Sequence, residues 1–167
     1  RDFKMTAQAD WPDQAIEEFI LPERISGVGA NGKSYVHKKS GRILSEFRSP
    51  MQAFMRFMGW FLSEGSCSKN TIEIVQKKDQ HKDNIRRCLT HIGVKWSEHV
   101  SKDETSKFYF TDANLAIYLK ELGNSYTKRI PRELLDNKKY LLDLLEALYD
   151  GDGMHRPKDV SRFQGEL

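Results

Sequence analysis

Two acids, Glu64 and Asp152, stand in matching surroundings. Each closes an apolar run and is followed by glycine: Phe57-Met58-Gly59-Trp60-Phe61-Leu62-Ser63-Glu64-Gly65 and Leu145-Glu146-Ala147-Leu148-Tyr149-Asp150-Gly151-Asp152-Gly153. A single offset of 88 residues lays Gly59 on Ala147, Ser63 on Gly151, Glu64 on Asp152 and Gly65 on Gly153. Four coincidences at one offset read as an internal repeat. Phe54, Phe57, Met58, Phe61 and Leu62, and then Leu141, Leu144, Leu145 and Leu148, recur at helical spacing. Small residues four apart let two helix backbones approach closely. Gly59, Ser63, Ala147 and Gly151 therefore read as a helix seam. Each glycine is placed to close its helix at C′. A carboxylate is then left at each helix C-terminus, where the macrodipole disfavours it by about 0.3–1 kcal/mol. Helices packed side by side would also make the acids face each other, and a cation between them would relieve both penalties. The pattern points to a metal site at Glu64 and Asp152, with Gly65 and Gly153 beside them. The competing reading is two buried helices with unrelated acids near their ends.

At these residues the chain resembles the LAGLIDADG (DOD-type) homing endonucleases, which are often found inside inteins. Phe57 to Ser66 reads like the first motif of intein endonucleases. Lys128-Arg129-Ile130-Pro131, leading into the run that ends Leu148-Tyr149-Asp150-Gly151-Asp152-Gly153, reads like the approach to the second. The likeness covers about residues 50–155. Glu64 departs from the usual Asp but still supplies a carboxylate.

The resemblance implies an α+β fold: an αββαββα lobe with an antiparallel saddle sheet and helices on one face, plus the first helix of a second lobe. It implies hydrolysis of phosphodiester bonds in double-stranded DNA at a long asymmetric site, by a monomer when both lobes are complete. Glu64 and Asp152 would hold Mg²⁺ (or Mn²⁺). A basic residue at a strand end would neutralise transition-state charge, and Lys77, with Gln76, is the catalytic candidate for that part. The expected location is the cytoplasm of a prokaryotic, archaeal or phage-infected cell.

Composition is compatible with this and does not demand it. Of 167 residues, 31% are charged and 38% hydrophobic, with a net charge of +3. That describes a globular chain and does not by itself establish a nucleic-acid partner. Lys and Arg are concentrated from Lys69 to Lys107 and again at Lys128, Arg129 and Arg132; a solvated face would look the same. No apolar run is long enough to span a bilayer. Cys67 and Cys88 have neither metal-ligand nor disulfide-framework spacing and fit a reducing compartment. The five histidines (37, 81, 91, 99 and 155) are scattered without zinc-ligand spacing.

The elements that must position the acids follow from periodicity. Residues 1–48 have the weakest pattern and read as an N-terminal linker and strand segment. Trp11-Pro12-Asp13 through Phe19-Ile20-Leu21-Pro22 resembles the junction between an intein splicing domain and its endonuclease. Residues 49–136 read as one lobe, and 137–167 as the opening of a second, truncated one. A chain so divided is expected to bind DNA without cleaving it efficiently. Ser49, Pro50 and Gln52 predict an N-cap, N1 and capping box for the first motif helix. Thr71 to Lys77 alternates, with Ile72 and Ile74 on one face. Asp79 is placed to cap a helix ending at Gly93, with Asp83 and Arg87 paired. Val94, Trp96 and Val100 are expected inward from one strand, and Phe108 and Phe110 from the next. Asp112 is placed to cap a helix carrying Leu115, Leu119 and Leu122 and closed by Gly123.

The outward residues would be Thr71, Glu73, Lys77, Lys95, Ser97, His99, Lys107 and Tyr109. Such hydrogen-bonding and cationic side chains suit a β-surface reading base edges in a major groove, although any solvent-facing sheet carries similar residues. A rival motif runs from Gly27 to Ser34 and matches the P-loop pattern G-x-x-x-x-G-K-S. It lacks the buried strand before it and the helix after it that a nucleotide site needs, so a glycine-rich hairpin loop is the preferred reading. A further alternative is a LAGLIDADG module that binds DNA or RNA without cleaving it. An intein splices with a nucleophile at its first position and a His-Asn end, and position 1 of this sequence is Arg while positions 166–167 are Glu-Leu, so the splicing chemistry is not expected from these 167 residues.

Overall fold

A computed structural model describes residues 15–25, 43–124 and 127–152. The P-loop-like stretch, His37, His155, Gly153 and the Trp11-Pro12-Asp13 start of the junction lie outside the described residues.

The element that organises the core is α1 (Met51–Glu64). Its apolar residues surround it almost completely, and such a helix has to be buried. Phe54, Phe57, Met58 and Phe61 are almost wholly inaccessible. Two short antiparallel pairs precede it: β1 (Glu18–Leu21) with β4 (Phe47–Pro50), and β2 (Arg24–Ile25) with β3 (Ile43–Leu44). They bring Phe19, Leu21, Leu44 and Phe47 into the interior.

After α1 come β5 (Gly65–Ser68), β6 (Thr71–Gln76), α2 (Asp79–His91), β7 (Trp96–Val100), β8 (Ser106–Thr111) and α3 (Ala113–Glu121). The four strands form an antiparallel sheet in the order β5-β6-β8-β7. Ile72, Ile74, Phe108 and Phe110 point to its buried face, which packs on α1, α2 and α3. The other face carries no covering element among the described residues. One helix face and one open face is the usual arrangement for an antiparallel sheet. The fold is therefore α+β, with the expected order αββαββα from α1 onward. A single turn, α4 (Arg132–Leu135), leads into α5 (Lys138–Asp152), which packs along α1.

Several local expectations fail where a long-range partner takes the residue. Ser49 does not cap α1, because it belongs to β4 and pairs with Phe19. Its hydroxyl donates to the Pro50 carbonyl at 3.2 Å. The helix begins instead with the Met51 amide donating to the Glu17 carbonyl at 2.8 Å, and the Gln52 amide is turned to Asp143. Asp79 is the first helical residue rather than the cap, and the Asp83 carboxylate pairs with Arg86, while Arg87 reaches only the Asp83 backbone carbonyl, at 3.4 Å. Val94 precedes β7 instead of opening it. Val100 is 56% exposed, not inward. On that inner face Glu98 is held by the Arg86 guanidinium through two hydrogen bonds of 2.7 and 2.8 Å. The α3 cap forms as its sequence indicates: the Asp112 carboxylate accepts from the Leu115 amide at 2.8 Å.

Candidate functional site

The acids are positioned by the contact between α1 and α5. A methyl group built on Gly59 would lie 2.4 Å from the Leu144 carbonyl oxygen, 2.6 Å from Ala147 Cβ and 2.7 Å from the Leu148 amide nitrogen. One built on Gly151 would lie 1.9 Å from Ser63 Oγ and 3.5 Å from Glu64 Cγ. Position 59 thus meets 147 and position 63 meets 151, four residues on in both helices. The helices run parallel, and their C-termini emerge together. Ser63 keeps its hydroxyl on its own helix, donating to the Gly59 carbonyl at 3.0 Å. Toward the other end Arg56 and Gln52 on α1 hold Asp143 on α5, with Arg56 Nε 2.6 Å from the carboxylate.

Glu64 and Asp152 lie at the shared end. The Glu64 carboxyl is pushed above the ordinary Glu range, first by burial and then by the negative charge of Asp152; Lys78 and Lys128 partly offset this. Two acids that repel each other form a hard oxygen donor set. No cluster of three or more His, Cys, Asp or Glu suited to a metal occurs among the described residues. Two carboxylates, with water and substrate oxygens completing the shell, match what Mg²⁺ or Mn²⁺ accepts, and the pair does not suit a softer ion that demands nitrogen or sulfur.

Gly65 has φ −87 and ψ 154. It is extended, not left-handed, and it leads directly into β5. Glycine is required there for a different reason: a Cβ would meet Phe61 Cδ2 at 2.4 Å. The open carbonyls at the end of α1 are met by Lys128. Its ammonium donates to the Phe61 carbonyl at 2.7 Å and to the Gly65 carbonyl, and it lies 4.6 Å over the Phe61 ring. A cation at the negative end of the helix dipole removes part of the penalty that the sequence reading assigned to a metal alone. Burial pulls the Lys128 pKa down, and Glu64 opposes that.

The cations acting on Glu64 are thus Lys78 and Lys128, and Lys77 is not among them. Lys77 lies exposed just beyond the end of β6. Gln76 does not share its face: it is 4% exposed on the helix side of the sheet. Its Oε1 accepts from the Lys78 amide at 2.9 Å, and its Nε2 has no partner among the described residues. Lys128 was visible in the sequence only as part of Lys128-Arg129-Ile130-Pro131. Its link to Phe61 spans 67 residues, and no local pattern reports such a contact.

Strand register orders the open face into cross-strand rows. Glu73 faces Tyr109, which faces Ser97; Val75 faces Lys107, which faces His99; Thr71 faces Thr111. Ser66 and Ser68 extend two of these rows onto β5. Lys95 is exposed just before β7. Val75, Ser66, Ser68 and Thr111 join the face through this register and had no signal of their own.

No family model matches the sequence. Among curated proteins, the chain is 24% identical over 150 residues to DNA-directed RNA polymerase subunit Rpo1C of Methanocaldococcus jannaschii, covering 85% of this chain and 18% of that protein. It is likewise 24% identical over 152 residues to uncharacterized protein MJ1054 of the same organism, covering 80% and 17%. The chain thus spans less than a fifth of either relative. Among solved structures, I-DmoI in complex with DNA and Mn aligns with a TM-score of 0.40 at 14% identity, over 60% of this chain and 62% of that one. A variant of I-DmoI bound to nicked target DNA with Mn aligns with a TM-score of 0.40 at 13% identity, over 60% and 61%. I-DmoI is a LAGLIDADG homing endonuclease. No helix among the described residues is long and apolar enough to cross a membrane.

Proposed function

We propose that this chain is the DNA-binding and metal-binding lobe of a site-specific double-stranded DNA endonuclease of the LAGLIDADG type. The observation that carries the reading is the pair of parallel helices whose joined ends expose two mutually repelling carboxylates, beside an antiparallel sheet with an open polar face. Glu64 and Asp152 would hold the divalent cation. Bound there, such an ion supplies an activated water and charge stabilisation on a phosphodiester oxygen. Lys128 holds the end of α1 through the Phe61 and Gly65 carbonyls and so fixes the backbone from which Glu64 projects. With Lys78 it supplies positive charge next to the acids, where charge develops on a phosphate. The open sheet face supplies the contacts to DNA. Mg²⁺, a long asymmetric target and a monomeric complete protein are part of this proposal, as is a division into one lobe over 49–136 and the start of another from 137.

An intein origin is supported by the nature of the two curated matches. A stretch of about this length recurs in two proteins with different names, and in each it is less than a fifth of the whole. A module inserted into host genes accounts for that. The name of the first relative favours a second reading, a DNA-binding segment without nuclease activity.

The experiment is a plasmid cleavage assay beside a gel shift, on the chain extended by a second lobe, as wild type, Glu64→Gln and Asp152→Asn, in Mg²⁺, Mn²⁺ or Ca²⁺. Cleavage lost in both variants with duplex binding retained would support the proposal. Cleavage by either variant at the wild-type rate would refute the two-acid site. Duplex binding with no cleavage in any of these metals would favour the second reading.

A further inference from the structure

The open sheet face holds two opposite charges that leave each other alone. Glu73 on β6 and Lys107 on β8 occupy diagonal positions, since Glu73 faces Tyr109 and Lys107 faces Val75. Diagonal neighbours lie about 7–8 Å apart, within reach of long side chains. Yet no ion pair joins them, and neither side chain makes a hydrogen bond among the described residues. Glu73 is the one carboxylate that the strands present on this face; Glu98 lies on the other side, bound to Arg86. On a surface meant for a polyanion, a lone carboxylate is unfavourable unless it finds a donor.

Few groups in a DNA groove can serve as that donor. Phosphates, guanine O6 and N7 and thymine O4 are all acceptors. The amino groups of cytosine and adenine donate in the major groove, but adenine sets its N7 acceptor beside N6 and cytosine does not. A carboxylate therefore selects cytosine by attraction and rejects guanine and thymine by repulsion. Lys107 has the opposite preference, the paired acceptors of guanine. The register also fixes their order. Gly65, directly after Glu64, pairs with Ile74, so the row holding Val75, Lys107 and His99 lies nearest the end of α1, and the row holding Glu73, Tyr109 and Ser97 is one step farther. Rows are two residues apart, about 6.6–6.8 Å, and two base pairs rise by about the same distance at roughly 3.4 Å each.

We infer that Glu73 and Lys107 are specificity-determining residues, Glu73 accepting from the N4 amino group of a cytosine and Lys107 donating to a guanine two base pairs nearer the cleavage site. The inference rests on the DNA-endonuclease reading above and adds to it the bases the face selects.

The test is selection of bound duplexes from a randomised pool by gel shift, followed by sequencing, with the 167-residue chain as wild type, Glu73→Ala, Glu73→Gln and Lys107→Ala. Wild type should enrich cytosine at one position and guanine two base pairs away. Glu73→Gln should move the first preference from cytosine to adenine, the base a carboxamide matches. Glu73→Ala should lose roughly tenfold discrimination there and bind unselected duplex more tightly, because a repulsive charge is gone. A purely structural role for Glu73 would instead weaken binding to every sequence alike. Lys107→Ala should lose the guanine and leave the cytosine. The same cytosine enriched by Glu73→Gln, or wild-type binding with no base enriched, would overturn this inference and leave DNA binding intact. No duplex bound by wild type would overturn both the inference and the function it rests on.

Discussion

Gly59→Ala tests the helix seam through the sign of its effect. On an exposed helix the change stabilises, since alanine exceeds glycine in helix propensity by about 0.8–1 kcal/mol. At position 59 the new Cβ would meet the Leu144 carbonyl oxygen at 2.4 Å, Ala147 Cβ at 2.6 Å and the Leu148 amide nitrogen at 2.7 Å. Ordinary contact begins near 3.4 Å, so α5 has to move away by about 1 Å. Two of the three obstacles are backbone, so no rotamer change makes room. Overpacking of this kind costs about 1–3 kcal/mol, and a gap of 0.5–1 Å forfeits a quarter to a half of each dispersion well along the seam. Set against the propensity gain, the net loss should be about 1–2 kcal/mol. For a chain of this size that lowers Tm by roughly 2–8 °C. Gly59→Leu should exceed that loss. The measurement is a thermal melt followed by circular dichroism. A Tm that rises in Gly59→Ala would refute the close contact, and with it the argument that brings Glu64 and Asp152 together.

The raised Glu64 pKa makes ionised Glu64 unfavourable in the folded state. The protonated form stabilises below the ordinary Glu value of 4.5, and that contribution is lost as pH rises through the higher folded value. In chelator, Glu64→Gln should therefore raise Tm at pH 7 and make little difference below pH 4.5; equal shifts at both pH values would contradict the burial and repulsion argument. Lys128→Met should lower Tm by removing the donors to the Phe61 and Gly65 carbonyls and should cut cleavage far more than duplex binding, as gel shift and plasmid assay together will report; unchanged cleavage would remove Lys128 from the site. Arg86→Ala should cost about 1 kcal/mol in a urea melt, because it strands the half-buried Glu98 carboxylate, and an unchanged midpoint would mean that this pair contributes nothing to anchoring β7.

What the sequence determined by itself was what short-range patterns encode. The repeat around Glu64 and Asp152, the helical spacing of α1, the alternation of Phe108 and Phe110, and the cap at Asp112 all depend on residues within a turn or two of one another. Periods of 3.6 and 2 report which side of an element is apolar, so the α+β class and most of the elements could be read directly, while β5, a four-residue strand without apolar alternation, entered the order αββαββα only through the family resemblance. Tertiary structure decided which residue each side chain meets. Ser49 could cap a helix or pair in a strand, and the strand partner Phe19 lies 30 positions earlier. Gln76 and Lys77 are adjacent in sequence, yet the strand's alternation buries the first and the strand's end leaves the second in solvent. Val100 repeats the spacing of an inward residue, but it sits at the strand end, where no helix covers it. Lys128 reaches the end of α1 across 67 residues. Local free-energy differences of up to about 1 kcal/mol set propensities and caps, while burial of one apolar side chain is worth roughly 1.5–3 kcal/mol. Where the two conflict, the core wins, and the core is assembled from residues that no local window contains.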